Sequence, residues 1–351
     1  TPQPTNVPTP QPTNAPTPQP TNAPTPQPTN APTIVGETGR VTLSDTVENN
    51  IVANVVFGHS YTNPVVVAFV NTYNNRDTIS ARVRAVTSVG CQLFMQEPKN
   101  GAHPAESVSY IVVESGRNIL KGGIVVEAGI KSSSTIHRSG ENFNGDSVQF
   151  VEAFSSIPVI LHGLMTHSNN DFMASFVKNI ATDSFTVAME AAGTGTNSNG
   201  EDIGWIALSP GSGSTSDARF MIGSANDGES DGVTGKGQSA HIITLTGFNE
   251  PPAIVVSIND ITDTDGAWAR GGGTSDKDVQ EVYAEEDKIG DRDQKHNDEK
   301  FGWAAFEKNT ILDVDTSAAV SAIALPCGDI GEACKDSNDC CGYCTGSGTC
   351  A

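Results

Sequence analysis

The sequence is short of almost everything that marks an enzyme or a membrane protein. Residues 1–326 hold one cysteine, Cys91. No apolar run approaches the ~18 residues of a spanning helix, so no membrane span is expected. No Asn-x-Ser/Thr sequon occurs, so any glycan is expected to be O-linked, on Thr, Ser or a modified Pro. Positive charge is scarce: 20 Lys and Arg stand against 41 Asp and Glu, a formal net charge of −21. Such a surface repels phosphates and anionic lipid, which argues against nucleic acid as a partner. No stretch of helical period has useful length, and neither an H-E-x-x-H zinc pair nor a P-loop is present. The seven histidines are scattered; His162 and His167 share a neighbourhood without a third ligand and read as surface or strand-end residues. The expectation is a protein that is not an enzyme.

What is present begins with the arm. Residues 1–33 read TPQPTNVP, then TPQPTNAP three times, then Thr33. The largest apolar side chain here is Val7, too little to offset the entropy of ordering. Proline biases the arm to polyproline II, and its threonines suit dense O-glycosylation, as in mucin-like stalks. Thr5, Thr9, Thr13, Thr17, Thr21, Thr25 and Thr29 are the candidate acceptors. Only glycan or neighbouring subunits could order such an arm. The chain starts at Thr1 inside the repeat with no initiator Met; removal of a signal peptide is one explanation.

The remaining cysteines crowd the other end. Cys327, Cys334, Cys340, Cys341, Cys344 and Cys350 follow the pattern C-x6-C-x5-C-C-x2-C-x5-C. Adjacent Cys340 and Cys341 do not fit the paired C-x-x-C knuckles of a zinc site. The spacing resembles the inhibitor-cystine-knot (knottin) family, and that resemblance implies Cys327–Cys341, Cys334–Cys344 and Cys340–Cys350 bonds. A disulfide-stapled tail implies an oxidising compartment, hence an extracellular, secreted or cell-surface protein. Cys91 reads as a small buried hydrophobe in a strand.

The middle repeats. Asn63-Pro64-Val65-Val66-Val67-Ala68, Ile157-Pro158-Val159-Ile160-Leu161 and Pro251-Pro252-Ala253-Ile254-Val255-Val256 place Pro64, Pro158 and Pro252 at a constant spacing of 94 residues. Each copy closes with an acid four before an aromatic: Glu106 and Tyr110, Glu201 and Trp205, Glu299 and Trp303. Period-two alternation, as in Ala81-Arg82-Val83-Arg84-Ala85-Val86 and Phe185-Thr186-Val187-Ala188-Met189, predicts strands, and Asn/Asp-rich clusters predict turns. The reading is all-β: three tandem antiparallel β-sandwiches, an N-terminal polyproline-II-like repeat and a small disulfide-rich C-terminal tail. The boundaries are 1–33 for the arm, 34–116, 117–211 and 212–308 for the sandwiches, 309–326 for a linker or donor strand, and 327–351 for the tail. Core candidates are Phe57, Phe69, Phe94, Phe154, Phe176, Phe185, Phe248, Tyr110, Trp205 and Trp303. Trp268 reads as a core residue rather than a sugar-stacking platform. The prolines fit first positions of strands, where a missing N–H costs least.

The unit resembles an H-type lectin domain, most closely in Phe154…Pro158-Val159-Ile160, Asn169-Asn170-Asp171 and Trp205-Ile206-Ala207. Copy one departs with Tyr110-Ile111-Val112. Copy three departs by putting Gly271-Gly272-Gly273 in place of the alternating strand and adding an acidic insert. The resemblance implies a sandwich fold; no sugar-contacting residue maps onto this chain. Within the insert, Asp287, Asp291, Asp293 and Glu299 are a candidate Ca2+ set, although the spacing is not that of an EF-hand and internal ion pairing is the blander reading. No other cofactor is expected.

The whole chain resembles the protomers of extracellular glycoprotein fibrils recovered from environmental water samples. The first functional reading is therefore a structural subunit of a glycosylated helical fibre, self-associating through strand addition and the glycosylated arm. The segments 33–41 and 310–325 are the candidate donors. The alternative is a secreted multivalent lectin on a mucin-like stalk.

Overall fold

The chain divides into two units, Thr1–Ala31 and Pro32–Ala351. The computed structural model describes residues 33–315 of the second, apart from 100, 139, 192–198, 215–217, 226–239, 263, 265 and 287–298. The arm, the cysteine-rich tail and Asp287, Asp291 and Asp293 lie outside the described residues.

The all-β expectation holds: among the described residues the one helical element is a 3-10 turn at Val47–Asn49. The strands are β1 (Ile34–Leu43), β2 (Ala53–Val56), β3 (Pro64–Val70), β4 (Ser80–Thr87), β5 (Gly90–Gln96), β6 (Glu106–Glu114), β7 (Gly116–Leu120) and β8 (Ile124–Ser133). There follow β9 (Ile136–His137), β10 (Asp146–Gln149), β11 (Val159–Leu164), β12 (Ala174–Lys178), β13 (Ser184–Glu190), β14 (Glu201–Leu208) and β15 (Gly211–Ser214). The last are β16 (Arg219–Ala225), β17 (His241–Thr244), β18 (Ala253–Asp260), β19 (Ala267–Ser275), β20 (Val279–Glu286), β21 (Lys300–Phe306) and β22 (Ile311–Asp313).

They form three face-to-face pairs of sheets. The first pairs β2-β5-β4 with β22-β1-β6-β3, the second β10-β13-β12 with β11-β14-β8-β7, and the third β17-β20-β19 with β15-β16-β21-β18. Within the second, β9 adds a short parallel pairing to β13. All other ladders are antiparallel.

Local chemistry explains the repeated anchors. Pro64 opens β3, and Glu114 takes the amides of Thr62 and Asn63 just before it, at 2.6 and 2.7 Å. Each closing aromatic lies opposite a glycine: Tyr110 and Gly39, Trp205 and Gly129, Trp303 and Gly223. A Cβ at Gly129 would sit 2.6 Å from Trp205 Cζ2, so the ring lies flat over the glycine and needs that gap. The sequence reading passed over those glycines, whose separation from the aromatics differs from copy to copy. The apolar runs after the prolines are buried almost throughout, unlike the alternating strands. One face packs inside its own sandwich; the other meets the neighbouring sandwiches, since β3, β11 and β18 contact one another pairwise. Val65, Val67, Phe69, Leu161, Val255 and Val256 accordingly join one continuous apolar cluster.

Three expectations are corrected. Residues 33–41 are not spare: β1 is an inner strand, paired with β6 along Gly36–Leu43 and with β22 on its other edge. Of the segment 310–325 only residues 310–315 are described, and their strand β22 pairs with β1 of the first sandwich rather than with the third sandwich's sheets. Gly271-Gly272-Gly273 does not replace the strand but lies within β19, where the ladder to β20 shifts register between Gly271 and Ser275. A Cβ at Gly271 would fall 1.9 Å from the Asn71 carbonyl oxygen, so glycine is what lets β19 approach the first sandwich. Nine of the ten core candidates are buried; Trp303 is half-buried. Trp268 is buried, its indole N–H donating to the Ile79 carbonyl at 2.9 Å.

Candidate functional site at the junctions between sandwiches

The closing acids fold the turns that follow β3, β11 and β18. Glu106 accepts from Thr72 Oγ1 at 2.5 Å and the Asn74 amide at 2.8 Å. Glu201 takes the amides of Ser168 and Asn169 at 2.9 Å and the Thr166 hydroxyl. Glu299 takes the Thr262 amide at 2.9 Å and is buried. Glu299 is thus a turn-capping acid like its two counterparts, which accounts for its place in the repeat without a metal. Among the described residues no cluster of His, Cys, Asp or Glu could hold a metal ion.

The same acids join neighbouring sandwiches. Positions 82, 176 and 270 recur at the 94-residue spacing and occupy equivalent places on β4, β12 and β19. Arg82 reaches from the first sandwich to Glu201 of the second, Nη2 to Oε1 at 3.2 Å, and donates to Gln96 Oε1 at 2.5 Å. Arg270 reaches from the third to Glu106 of the first at 3.1 Å and pairs with Glu285 at 2.8 Å. Both guanidiniums are fully buried. Burial pushes Arg82 down to about 10, still protonated at neutral pH, while Glu201 pulls the other way. Burial also opposes the Arg270 cation, but Glu285 and Glu106 outweigh it and hold its pKa above the ordinary arginine value. The Glu201 carboxyl is held below the usual range: burial opposes this, but the Thr166 hydroxyl, the Ser168 amide and Arg82 win.

The second copy breaks the pattern. Phe176 replaces the arginine, and Glu190, the counterpart of Gln96 and Glu285, bonds His137 Nδ1 at 2.5 Å. His137 packs edge-on against Phe176, ring centroids 5.4 Å apart, and its Nε2 donates to the Glu141 carbonyl at 3.0 Å. With both ring nitrogens donating, the imidazole is the cation here. Burial works against that charge, but the Glu190 hydrogen bond prevails and its pKa is raised.

On the axis where β3, β11 and β18 meet lies a cavity of about 40 Å3, lined by residues from all three sandwiches including Ala68, His162 and Val256. His162 is buried in β11, not on the surface as the sequence implied. Its Nε2 faces the Ile258 carbonyl at 2.8 Å and must donate, so Nδ1 accepts from Ser175 Oγ at 2.8 Å. Burial lowers its pKa to about 4, which keeps it neutral. Both nitrogens of this enclosed imidazole are thus taken up by Ser175 and the Ile258 carbonyl. His167 is half-buried against Phe94 and is also held down to about 4, by burial and by Arg82 and Arg84. Gly228-Glu229-Ser230-Asp231-Gly232 spells a nucleophile-elbow consensus overlooked in the sequence. It lies outside the described residues, in the segment that joins β16 to β17.

Two edges of the junctions remain open as grooves. One, between the first two sandwiches, is lined by Asn63, Ser88, Ile130, Met165 and Asp202. Its counterpart between the second and third is lined by Ile157, Ile180, Ser224, Asp260 and Lys300. At the third junction Arg40, the counterpart of Ile130 and Ser224, bridges Ser107 at 2.5 Å and Ser275 at 2.8 Å.

Residues 1–34 match the family model described as the PT disordered repeat. Over 283 residues, 74% of this chain, the sequence is 26% identical to Halomucin of Haloquadratum walsbyi (strain DSM 16790 / HBSQ001). The chain spans 3% of that relative's length. No solved structure matches. Among the described residues no helix is long and apolar enough to cross a membrane.

Proposed function

We propose that this chain is a structural subunit of an extracellular glycosylated fibre, with a three-sandwich head, an O-glycosylated Pro/Thr arm and self-association between copies. The observation that carries the reading is where the head is attached. The Val314 amide donates to the Thr33 carbonyl at 2.9 Å, so the chain enters and leaves the head at one point, beside the β1–β22 pairing. The first and last described residues of the head are thus neighbours, which suits a body set within a longer chain. Glu106, Glu201, Glu299, His137 and His162 are held in turn caps and buried contacts, which favours a structural role over catalysis. No cofactor is part of this reading; Ca2+ at the acidic insert is tested by calorimetric titration. Sedimentation over a concentration series tests self-association, and the fibre reading fails if the chain stays monomeric throughout. Intact mass of residues 1–33 is expected to exceed that of the bare peptide through sugar on several of Thr5, Thr9, Thr13, Thr17, Thr21, Thr25 and Thr29.

The second reading, a multivalent lectin resembling the H-type family, draws on the two open grooves, which set amide, hydroxyl and carboxylate groups beside Ile130 and Met165. Binding of the isolated head to a glycan array separates the two.

A further inference from the structure

The outer strand of each four-stranded sheet comes from the segment that follows the last strand of another sandwich. β7 leaves β6 of the first sandwich and joins the second; β15 leaves β14 of the second and joins the third; β22 leaves β21 of the third and joins the first, closing a ring. The three are not held alike. β7 and β15 are fixed at both ends, each lying between two sandwiches in the chain. β22 has no described strand after it: Val314 and Asp315, just beyond it, donate to the Thr33 and Ile119 carbonyls at 2.9 and 2.7 Å, and the chain then passes into residues 316–351. Its ladder is the shortest, with partners Ile34↔Asp313, Gly36↔Leu312 and Glu37↔Ile311 and an irregularity after Ile34. The tether from β21 is short, and in it Asn309 takes a left-handed conformation with φ 59°. Short, strained hinges favour exchange of a terminal element between copies.

What holds β22 is the same whichever copy supplies it. Leu312 is buried in the shared apolar cluster, Lys121 Nζ meets Asp313 Oδ2 at 2.9 Å, and the Thr38 amide donates to the Thr310 carbonyl at 3.0 Å. Releasing β22 bares the edge of β1 and the Leu312 side chain together, so each open copy offers one donor and one acceptor. We infer that Thr310–Asp315 is an exchangeable clasp, and that β1 of one copy takes this segment from a second copy of the chain in the register seen within one copy. This rests on the self-association proposed above and names its interface. Donor and acceptor are different surfaces, so the contact is head-to-tail and generates a ring or an open filament.

The ion pair at the clasp supplies the test without any substitution. Equal amounts of unlabelled and 15N-labelled full-length chain are mixed and allowed to associate. Associated and monomeric fractions are separated and treated with a water-soluble carbodiimide, which joins Lys121 to Asp313 where the two touch. The expected result is that about half of the Lys121–Asp313 cross-linked peptide in the associated fraction carries one label of each kind, as random pairing of donor and acceptor requires, and that the monomeric fraction carries only like-labelled peptide. An associated fraction with only like-labelled Lys121–Asp313 peptide overturns the exchange while leaving self-association standing. No associated fraction at any concentration overturns self-association, and the exchange with it.

Discussion

At the scale of single residues, the buried arginines do most to set the arrangement of the sandwiches. A guanidinium at these positions is costly to desolvate, and its carboxylate and carbonyl partners at the Nη atoms offset that cost. Replacing Arg82 by Met leaves Glu201 buried without its cation and is expected to destabilise the chain by about 3–5 kcal/mol, read from urea unfolding. The double change Arg82→Met, Glu201→Gln is expected to recover part of that loss, because the uncompensated charge is then gone. Equal loss in single and double variants would assign the effect to packing instead. Cys91 is a second residue whose behaviour follows from its surroundings. Burial pushes its thiol up to about 12, so at neutral pH the thiolate that reacts is scarce and enclosed. Alkylation and peptide mapping are expected to find Cys91 unmodified in the native chain and modified in denaturant. Rapid native labelling would show that β5 opens readily.

At the scale of elements, β9 carries the titratable junction. The folded-state pKa of His137 is raised, so its contribution to stability is complete below the unfolded value of about 6.5 and is lost as pH rises through the folded value. His162 and His167, both lowered to about 4 in the folded chain, add a rise in stability as pH climbs through the unfolded value of about 6.5, common to both proteins compared. Glu97, raised to about 7 by burial and by Asp77, adds a fall in the same direction as that of His137 but is also common to both proteins compared. The unfolding free energy of the wild type is expected to fall more steeply with pH than that of His137→Gln. Parallel profiles would mean that the Glu190 pairing is not a charged one. β22 yields the other element-scale expectation. Leu312 is 1% exposed, and Leu312→Ala is expected to cost about 2–5 kcal/mol in thermal or urea unfolding. Lys121 is one-third exposed, so Lys121→Ala is expected to cost no more than about 1 kcal/mol.

At the scale of the whole molecule, the outer strands of the second and third sandwiches pair with the strand that follows them, whereas that of the first comes from beyond the third. The first lacks its outer strand until the last described strand of the chain arrives, so ring closure is a long-range event. Truncation after residue 309 is expected to lower the midpoint of thermal unfolding and to speed hydrogen exchange at the β1 amides of Thr38 and its neighbours. Unchanged exchange there would show that β1 is held by β6 alone. An apolar cluster running through all three sandwiches predicts one calorimetric transition for the head rather than three.

The all-β class, the threefold repeat, the strand-opening prolines and the closing acid-and-aromatic pairs were legible from residue order. They rest on contacts within a strand or between neighbouring strands, which leave period-two alternation and a constant 94-residue spacing in the chain. The glycines opposite the aromatics carried no such mark, because their separation from the aromatics differs from copy to copy and only the sheet pairs them. Other features had no local mark. Arg82 sits in an alternating strand where a charge ordinarily faces water, and Arg270 precedes a run of glycines that reads as a break. His162 sits in an apolar run yet looked like a strand-end residue. Each is buried by a sandwich other than its own, and only the packing of distant segments decides that. The fate of β22 was decided the same way. Its apolar residues required burial somewhere, but a strand's edge can pair with any exposed edge of matching register, and only the closed ring of sandwiches places the edge of β1 beside it.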